Sequence, residues 1–186
     1  HQDLLVHQLI ADPYLLNNEQ QAQWPAQKEW LYQTTILLTP AMLNYSQIDL
    51  VFDGLDTDAE IFINGKKIAS VNNMFRVWKF NVRSLLKTGD NDLKIKFLAS
   101  EQLAALAYEK LQPKIPLDER IMVRKAAYQF GWDWGPRLVT AGIYKKVYLH
   151  CWDQLKIAHI QYQQLQIDTA MARLNAKVCI NSLVEQ

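Results

Sequence analysis

The stretch AEIFINGKKIASV, residues 59–71, decides the fold. Two apolar runs flank Asn64-Gly65, and that dipeptide supplies the two positive-φ positions of a type I′ turn, whose twist matches the twist of paired strands. The stretch therefore predicts a β-hairpin. Outward from it, aromatic and β-branched runs recur at residues 30–38, 47–52, 59–63, 67–71, 77–82, 92–98 and 143–149. Many short strands at near-regular spacing predict an all-β sandwich. A second turn, Thr88-Gly89-Asp90-Asn91, leads into LKIKFL, where Leu93, Ile95 and Phe97 alternate with polar or charged neighbours. One face of that strand is expected to be buried.

Residues 101–111 break the pattern. Leu103, Leu106, Ala107 and Leu111 fall on a helical stripe that Pro113 stops, so one helix is inserted among the strands. Later, LKIAHIQY at 155–162 and ARLNAKVCI at 172–180 form a new alternating pair with no turn chemistry tying them to what precedes. Two strands alone are marginal. The stretch from about residue 151 to 186 is therefore expected to open a second β domain.

A chain of 186 residues supports one good core and little more. Its 20 basic and 19 acidic residues give a formal charge of +1, too little to concentrate phosphates, so nucleic acid is not an expected partner. No apolar stretch approaches the roughly 20 residues of a membrane span, so no membrane partner is expected either. Cys151 and Cys179 make no CxxC pair and no zinc-type spacing, which points to buried free thiols. The chain opens at His1 with no basic or apolar leader, so any targeting segment is expected to have been removed or never included. A soluble protein is expected, cytoplasmic or periplasmic if bacterial, with the compartment itself left open.

The six glycines spell neither GxGxxG nor a P-loop, no serine sits in a GxSxG elbow, and the four histidines form no HExxH pair. Nucleotide, metal or other cofactor chemistry is not expected. The pairs Asp56/Asp58 and Asp118/Glu119 have the composition of an acid and base, but their turn-like surroundings read as solvated loops.

One segment differs: RKAAYQFGWDWGPR, residues 124–137. Tyr128, Phe130, Trp132 and Trp134 recur at period two, so in an extended chain they line one side while Gln129, Gly131 and Asp133 face the other. Gly131 and Gly135 bracket the WDW, and Pro136 lacks a backbone donor, which favours a rigid loop or edge. Carboxylates accept strong hydrogen bonds from paired hydroxyls, and flat aromatic faces match the apolar faces of pyranose rings. These are the parts of a sugar-contact element. The competing reading has both tryptophans filling a core and Asp133 in a structural ion pair with Arg124, Lys125 or Arg137.

With its surroundings, this segment resembles the amino-terminal domain of the β-mannosidases of glycoside hydrolase family 2. The matching stretches are HQDLLVHQLIADPY at 1–14, NNE at 17–19, EWLY at 29–32, DLVFDGLDTDAEIFINGKKI at 49–68, NNMFR at 72–76 and RKAAYQFGWDWGPRLVTAGIYKKVYL at 124–149. The DGLDT and ING runs are shared widely in family 2, whereas FGWDWGPRLVTAGI is particular to the mannosidase branch.

The resemblance implies a galactose-binding-like jelly-roll β-sandwich over residues 1–152 and the start of an immunoglobulin-like β-sandwich over 153–186. It further implies retaining, exo-acting hydrolysis of terminal non-reducing β-D-mannose by two glutamates on a later barrel domain, about 5 Å apart as retention requires. The glutamates of this chain, at 19, 29, 60, 101, 109, 119 and 185, match no barrel motif. The first domain would dock on that barrel and complete the pocket for a β-mannoside or manno-oligosaccharide. Asp133 would bind the hydroxyls at the sugar's 4 and 6 positions, Trp132 and Trp134 would wall the pocket, and Arg137 or Lys125 would orient the carboxylate. A freestanding carbohydrate-binding module, a purely structural docking sandwich, and another family 2 activity such as a β-galactosidase remain the alternatives.

Overall fold

In the computed structural model, Asn64 and Gly65 take φ values of 49° and 80°, and Ile63 pairs with Lys66 across them. The hairpin forms as the dipeptide requires. Residues 1–183 are described. The strands are β1 (Trp30–Leu38), β2 (Gln47–Phe52), β3 (Leu55–Asp56), β4 (Asp58–Ile63), β5 (Lys66–Asn72), β6 (Trp78–Asn81), β7 (Gly89–Phe97), β8 (Gly142–Ile143), β9 (Val147–Trp152), β10 (Leu155–Ile167) and β11 (Ala172–Ser182). A four-stranded antiparallel sheet runs β1-β7-β4-β5 and faces a three-stranded sheet, β6-β2-β9. The short strands β3 and β8 pair at one end.

Alternation along β7 and β4 builds the core between the sheets. Ile61 lies opposite Ile95, Ile63 opposite Leu93 and Ala59 opposite Phe97, all on the buried face. From the facing sheet, β2 contributes Ile48, Leu50 and Phe52. Burying side chains of this size stabilises a fold by about 1.5–3 kcal/mol each, so this layer is the main driving force for the sandwich. The lysines of β7 stay on the outer face, where Lys96 pairs with Glu29 and Lys94 with Asp92.

Several expectations are corrected. The run at 143–149 is two strands, because the chain first pairs β3 and then crosses to β2. At the crossing Tyr144 lies over Gly54, where a Cβ would sit 2.6 Å from its ring. The inserted helix, α3 (Ser100–Glu109), buries Ser100 and Ala104, whereas Leu106 is exposed, so the apolar stripe is rotated from the one read in sequence. Short helices α1 (Gln2–Val6) and α2 (Asn18–Gln21) precede the first strand, in a stretch with no sequence-predicted element. Both cysteines are half-buried free thiols rather than core residues.

The strands β10 and β11 form a separate hairpin. Leu155, Ile157, Tyr162, Leu174 and Ile180 on it are each more than half exposed. Lys156 of β10 ties it to the sandwich, donating to Asp49 of β2 and lying 4.2 Å from the ring centroid of Trp152, whose Nε1, at the end of β9, donates to the same carboxylate at 2.9 Å. Burial alone would raise the Asp49 carboxyl, but the hydrogen bonds from Lys156 and Trp152 outweigh it and hold it below the ordinary carboxylate range. No helix among the described residues is long and apolar enough to cross a membrane.

Candidate functional site

The segment 124–140 leaves the sandwich beside the NNMFR loop, where Asn73 bridges to Arg124 and Met74 N donates to Arg124 O at 3.1 Å. It then forms a 3₁₀ turn at Ala127–Phe130 and passes Gly131 at φ 98°. A tight two-residue turn follows: Trp132 N donates to Gly135 O at 3.3 Å, and Gly135 N donates back to Trp132 O at 3.1 Å. Asp133 and Trp134 occupy its tip. The period-two reading of Tyr128, Phe130, Trp132 and Trp134 is thereby corrected, since the chain is not extended here. The aromatic wall arises differently, with the Trp132 and Trp134 rings meeting edge to face at a centroid distance of 6.1 Å.

Both tryptophans are exposed, Trp132 by 47% and Trp134 by 84%, so neither fills a core. Asp133 is also exposed and takes part in no hydrogen bond or ion pair among the described residues. Beside the turn lies an open groove of about 1020 Å³. Its aromatic lining comes from Tyr14, Phe75, Tyr128, Trp132, Trp134 and Tyr144, and its polar floor from Asp56, Gln129 and Thr140. A smaller apolar hollow of about 300 Å³ between β1 and β9 carries no charged lining residue.

The two cations read as partners of Asp133 are engaged elsewhere, which corrects the expected orienting contact. Lys125 has a fully buried side chain; its Nζ lies 2.5 Å from Asp56 Oδ1 and also donates to Thr140 O. Burial pushes the Lys125 ammonium below its ordinary range, and the Asp56 charge opposes that shift. Arg137 donates to Gln23 Oε1 at 2.6 Å and pairs with Glu101 on α3, while its backbone N donates to Glu19 Oε1 at 2.7 Å. The NNE motif thus holds the exit of the loop, a contact between residues far apart in the chain.

Asp56 is the residue that sequence reasoning misplaced. It is buried, and its carboxylate accepts from Lys125, Thr57 Oγ1 at 2.5 Å, Gln129 Nε2 at 3.0 Å and Thr140 Oγ1 at 2.7 Å. Asp58 is half-buried and accepts from Ser100 Oγ at 3.1 Å, with burial raising its carboxyl against that hydrogen bond. Asp118 and Glu119 are exposed as expected, and Asp118 caps the short 3₁₀ turn Glu119–Met122.

Two antiparallel sheets packed on one core, with a loop that exposes Asp133 and its flanking tryptophans, are the architecture of a galactose-binding-like jelly-roll domain. Residues 1–145 match the family described as glycosyl hydrolase 2 galactose-binding domain-like, and the chain belongs to that family. It is 36% identical to beta-mannosidase B of Aspergillus terreus over 95% of its own length and 22% of that protein's. It is 34% identical to beta-mannosidase B of Thermothelomyces thermophilus over 96% of its length and 21% of that protein's. The crystal structure of a beta-D-mannosidase from Dictyoglomus thermophilum superposes with a TM-score of 0.92 at 36% identity, covering 97% of this chain and 22% of that one. An exo-chitosanase from Amycolatopsis orientalis shares the fold at a TM-score of 0.69 and 22% identity, covering 96% of this chain and 19% of that one. The chain spans about a fifth of the length of the curated relatives named here.

Proposed function

We propose that this chain is the amino-terminal part of a β-mannosidase that releases terminal non-reducing β-D-mannose with retention. In this reading the Trp132–Gly135 turn carries Asp133 to the rim of a sugar pocket that a catalytic barrel domain completes. Residues 1–152 form the sugar-contacting jelly roll, and residues from 153 onward begin an immunoglobulin-like second domain; residues 184–186, with Glu185, lie outside the described ones. The exposed apolar side chains of β10 and β11 support that boundary, since they call for further strands to cover them.

The observation that carries the reading is Asp133 itself: a carboxylate at the tip of a tight turn, flanked by two exposed indoles, with no protein partner among the described residues. A hydroxyl pair on a sugar is the partner its chemistry fits. Binding energy gained at hydroxyls remote from the scissile bond positions that bond, so its loss lowers turnover as well as affinity. Trp132 and Trp134 exclude water from the contact and strengthen it. Charge-assisted hydrogen bonds are worth about 1.5–3 kcal/mol each, so two of them set the expected loss in Asp133→Ala at roughly 100-fold or more in kcat/KM. The test is to measure that ratio on a β-mannoside in the full-length protein. Unchanged kcat/KM with a lowered melting temperature would instead make the turn a structural docking element.

A further inference from the structure

One carboxylate beneath the turn gathers residues from both of its flanks. Asp56, on β3, takes Lys125 at 2.5 Å through Oδ1 and the Gln129 amide at 3.0 Å through Oδ2. The Thr140 hydroxyl, on the exit side of the loop, lies 2.7 Å from the same Oδ2. Cross-ties close the cluster: Thr140 N donates to Gln129 Oε1 at 3.2 Å, and Lys125 donates to Thr140 O. Lys125 and Gln129 thus stand before the turn and Thr140 after it, all fastened to one point on the sandwich. Gln129 belongs to the 3₁₀ turn that ends at Phe130, immediately before Gly131 and the WDW.

A buried ion pair is weak support for stability, because well-packed apolar residues of equal volume serve as well or better. What such a cluster supplies is direction. Four donors converging on one carboxylate fix the orientation of every segment that carries a donor, which apolar packing does less sharply. A functional contact must be held to within about 0.5 Å of its productive geometry, and residues that touch no ligand provide this.

We propose that Asp56, Lys125, Gln129 and Thr140 are positioning residues that set the height and orientation of the Asp133 turn over the groove: Asp56 and Gln129 border its floor but are only 3% and 8% exposed, with their polar atoms engaged within the cluster, so they act through the backbone without touching Asp133. The proposal rests on the reading of Asp133 as the sugar contact.

A double-mutant cycle in the full-length protein tests it, with kcat/KM for para-nitrophenyl β-D-mannopyranoside as the readout. Gln129→Met removes all three hydrogen bonds of that side chain, to Asp56 and to the Thr140 backbone and hydroxyl, at nearly constant volume and leaves the ion pair in place. Misplacing a binding group by a fraction of an ångström costs about tenfold, the drop expected for Gln129→Met alone. Asp133→Ala alone costs roughly 100-fold, and the double variant falls no further than Asp133→Ala, because Gln129 acts only through Asp133. Multiplying losses, or no loss in Gln129→Met, would overturn the positioning role while leaving the Asp133 contact standing. No loss in Asp133→Ala would overturn the contact and the positioning role with it. Should Gln129→Met lose its cooperative melt, Thr140→Val, which removes one hydroxyl from the cluster, runs the same cycle with a drop of a few fold.

Discussion

Asp56 and Asp133 are aspartates with opposite fates. Asp56 lies in DGLDTD, a string that reads locally as a turn, yet its partners Lys125 and Gln129 lie 69 and 73 positions away. Nothing in local sequence reveals that burial, which is why it reads as solvated. The exposure of Asp133 is legible because its flanking tryptophans, glycines and proline lie within a few positions of it, so the signal is local even though the backbone is turned and not extended. Removing one partner of a buried pair leaves an uncompensated charge, at a cost of about 3–5 kcal/mol. Lys125→Met should therefore lower the free energy of unfolding by that amount, whereas Asp133→Asn, at an exposed and unpaired site, should change it by less than about 0.5 kcal/mol. Urea unfolding of the two variants checks this, and equal effects would mean that Asp133 carries structural load. Gly131 sits at φ 98° with room for a Cβ at 3.5 Å from the Arg137 side chain, so Gly131→Ala meets backbone strain and not a clash. Such strain costs about 1–3 kcal/mol, and the variant should loosen the turn, seen as a change in tryptophan emission.

At the scale of elements, strands with strict alternation were read correctly, because period two reports a face directly. The strands at 30–38 and 47–52 also have the bounds read from sequence, although β2 is buried along nearly its whole length and does not alternate. The helix was found but its buried face was not, since Leu106 looks apolar and yet points away from the cover that Ala104 meets. Asn91 shows what patterning misses entirely. Placed in a turn by sequence, it is fully buried in β7, donating to Lys87 O at 2.7 Å and Gly89 O at 3.0 Å and accepting from Asn64 Nδ2 at 2.9 Å. The tie between the sandwich and the β10–β11 hairpin has its own pH dependence. The Asp49 carboxyl is held below its model-compound value of 3.8, so its contribution is complete above that value and is lost as pH falls through the lower folded-state value. Asp58, raised by burial, contributes with the opposite sign, so a local probe is needed. Emission of Trp152, whose indole donates to Asp49, should hold constant from pH 7 to about 5 and change below about 3.8, and Asp49→Asn should abolish the change. An unaltered acid transition in Asp49→Asn would assign it elsewhere.

Across the whole molecule, the sandwich closes on its own core while the β10–β11 hairpin leaves its apolar side chains on the surface. If residues 1–152 are a unit, a chain ending at Gln154 should still melt cooperatively, within a few degrees of the longer chain, because it loses little buried apolar area. Failure of that shorter chain to fold would make the hairpin part of the sandwich. The two ends of the loop that carries Asp133 are held by segments distant in sequence, Asp56 on one side and Glu19, Gln23 and Glu101 on the other. The fold therefore presents Asp133 from a braced platform and leaves its carboxylate exposed, with no protein partner among the described residues. The most direct test is a crystal structure of the full-length protein with a mannose-configured inhibitor in its pocket. An Asp133 oxygen at hydrogen-bond distance, about 2.5–3.0 Å, from two hydroxyls of the sugar is the predicted result. A sugar bound with Asp133 turned to solvent, or paired to a protein cation, would contradict the account.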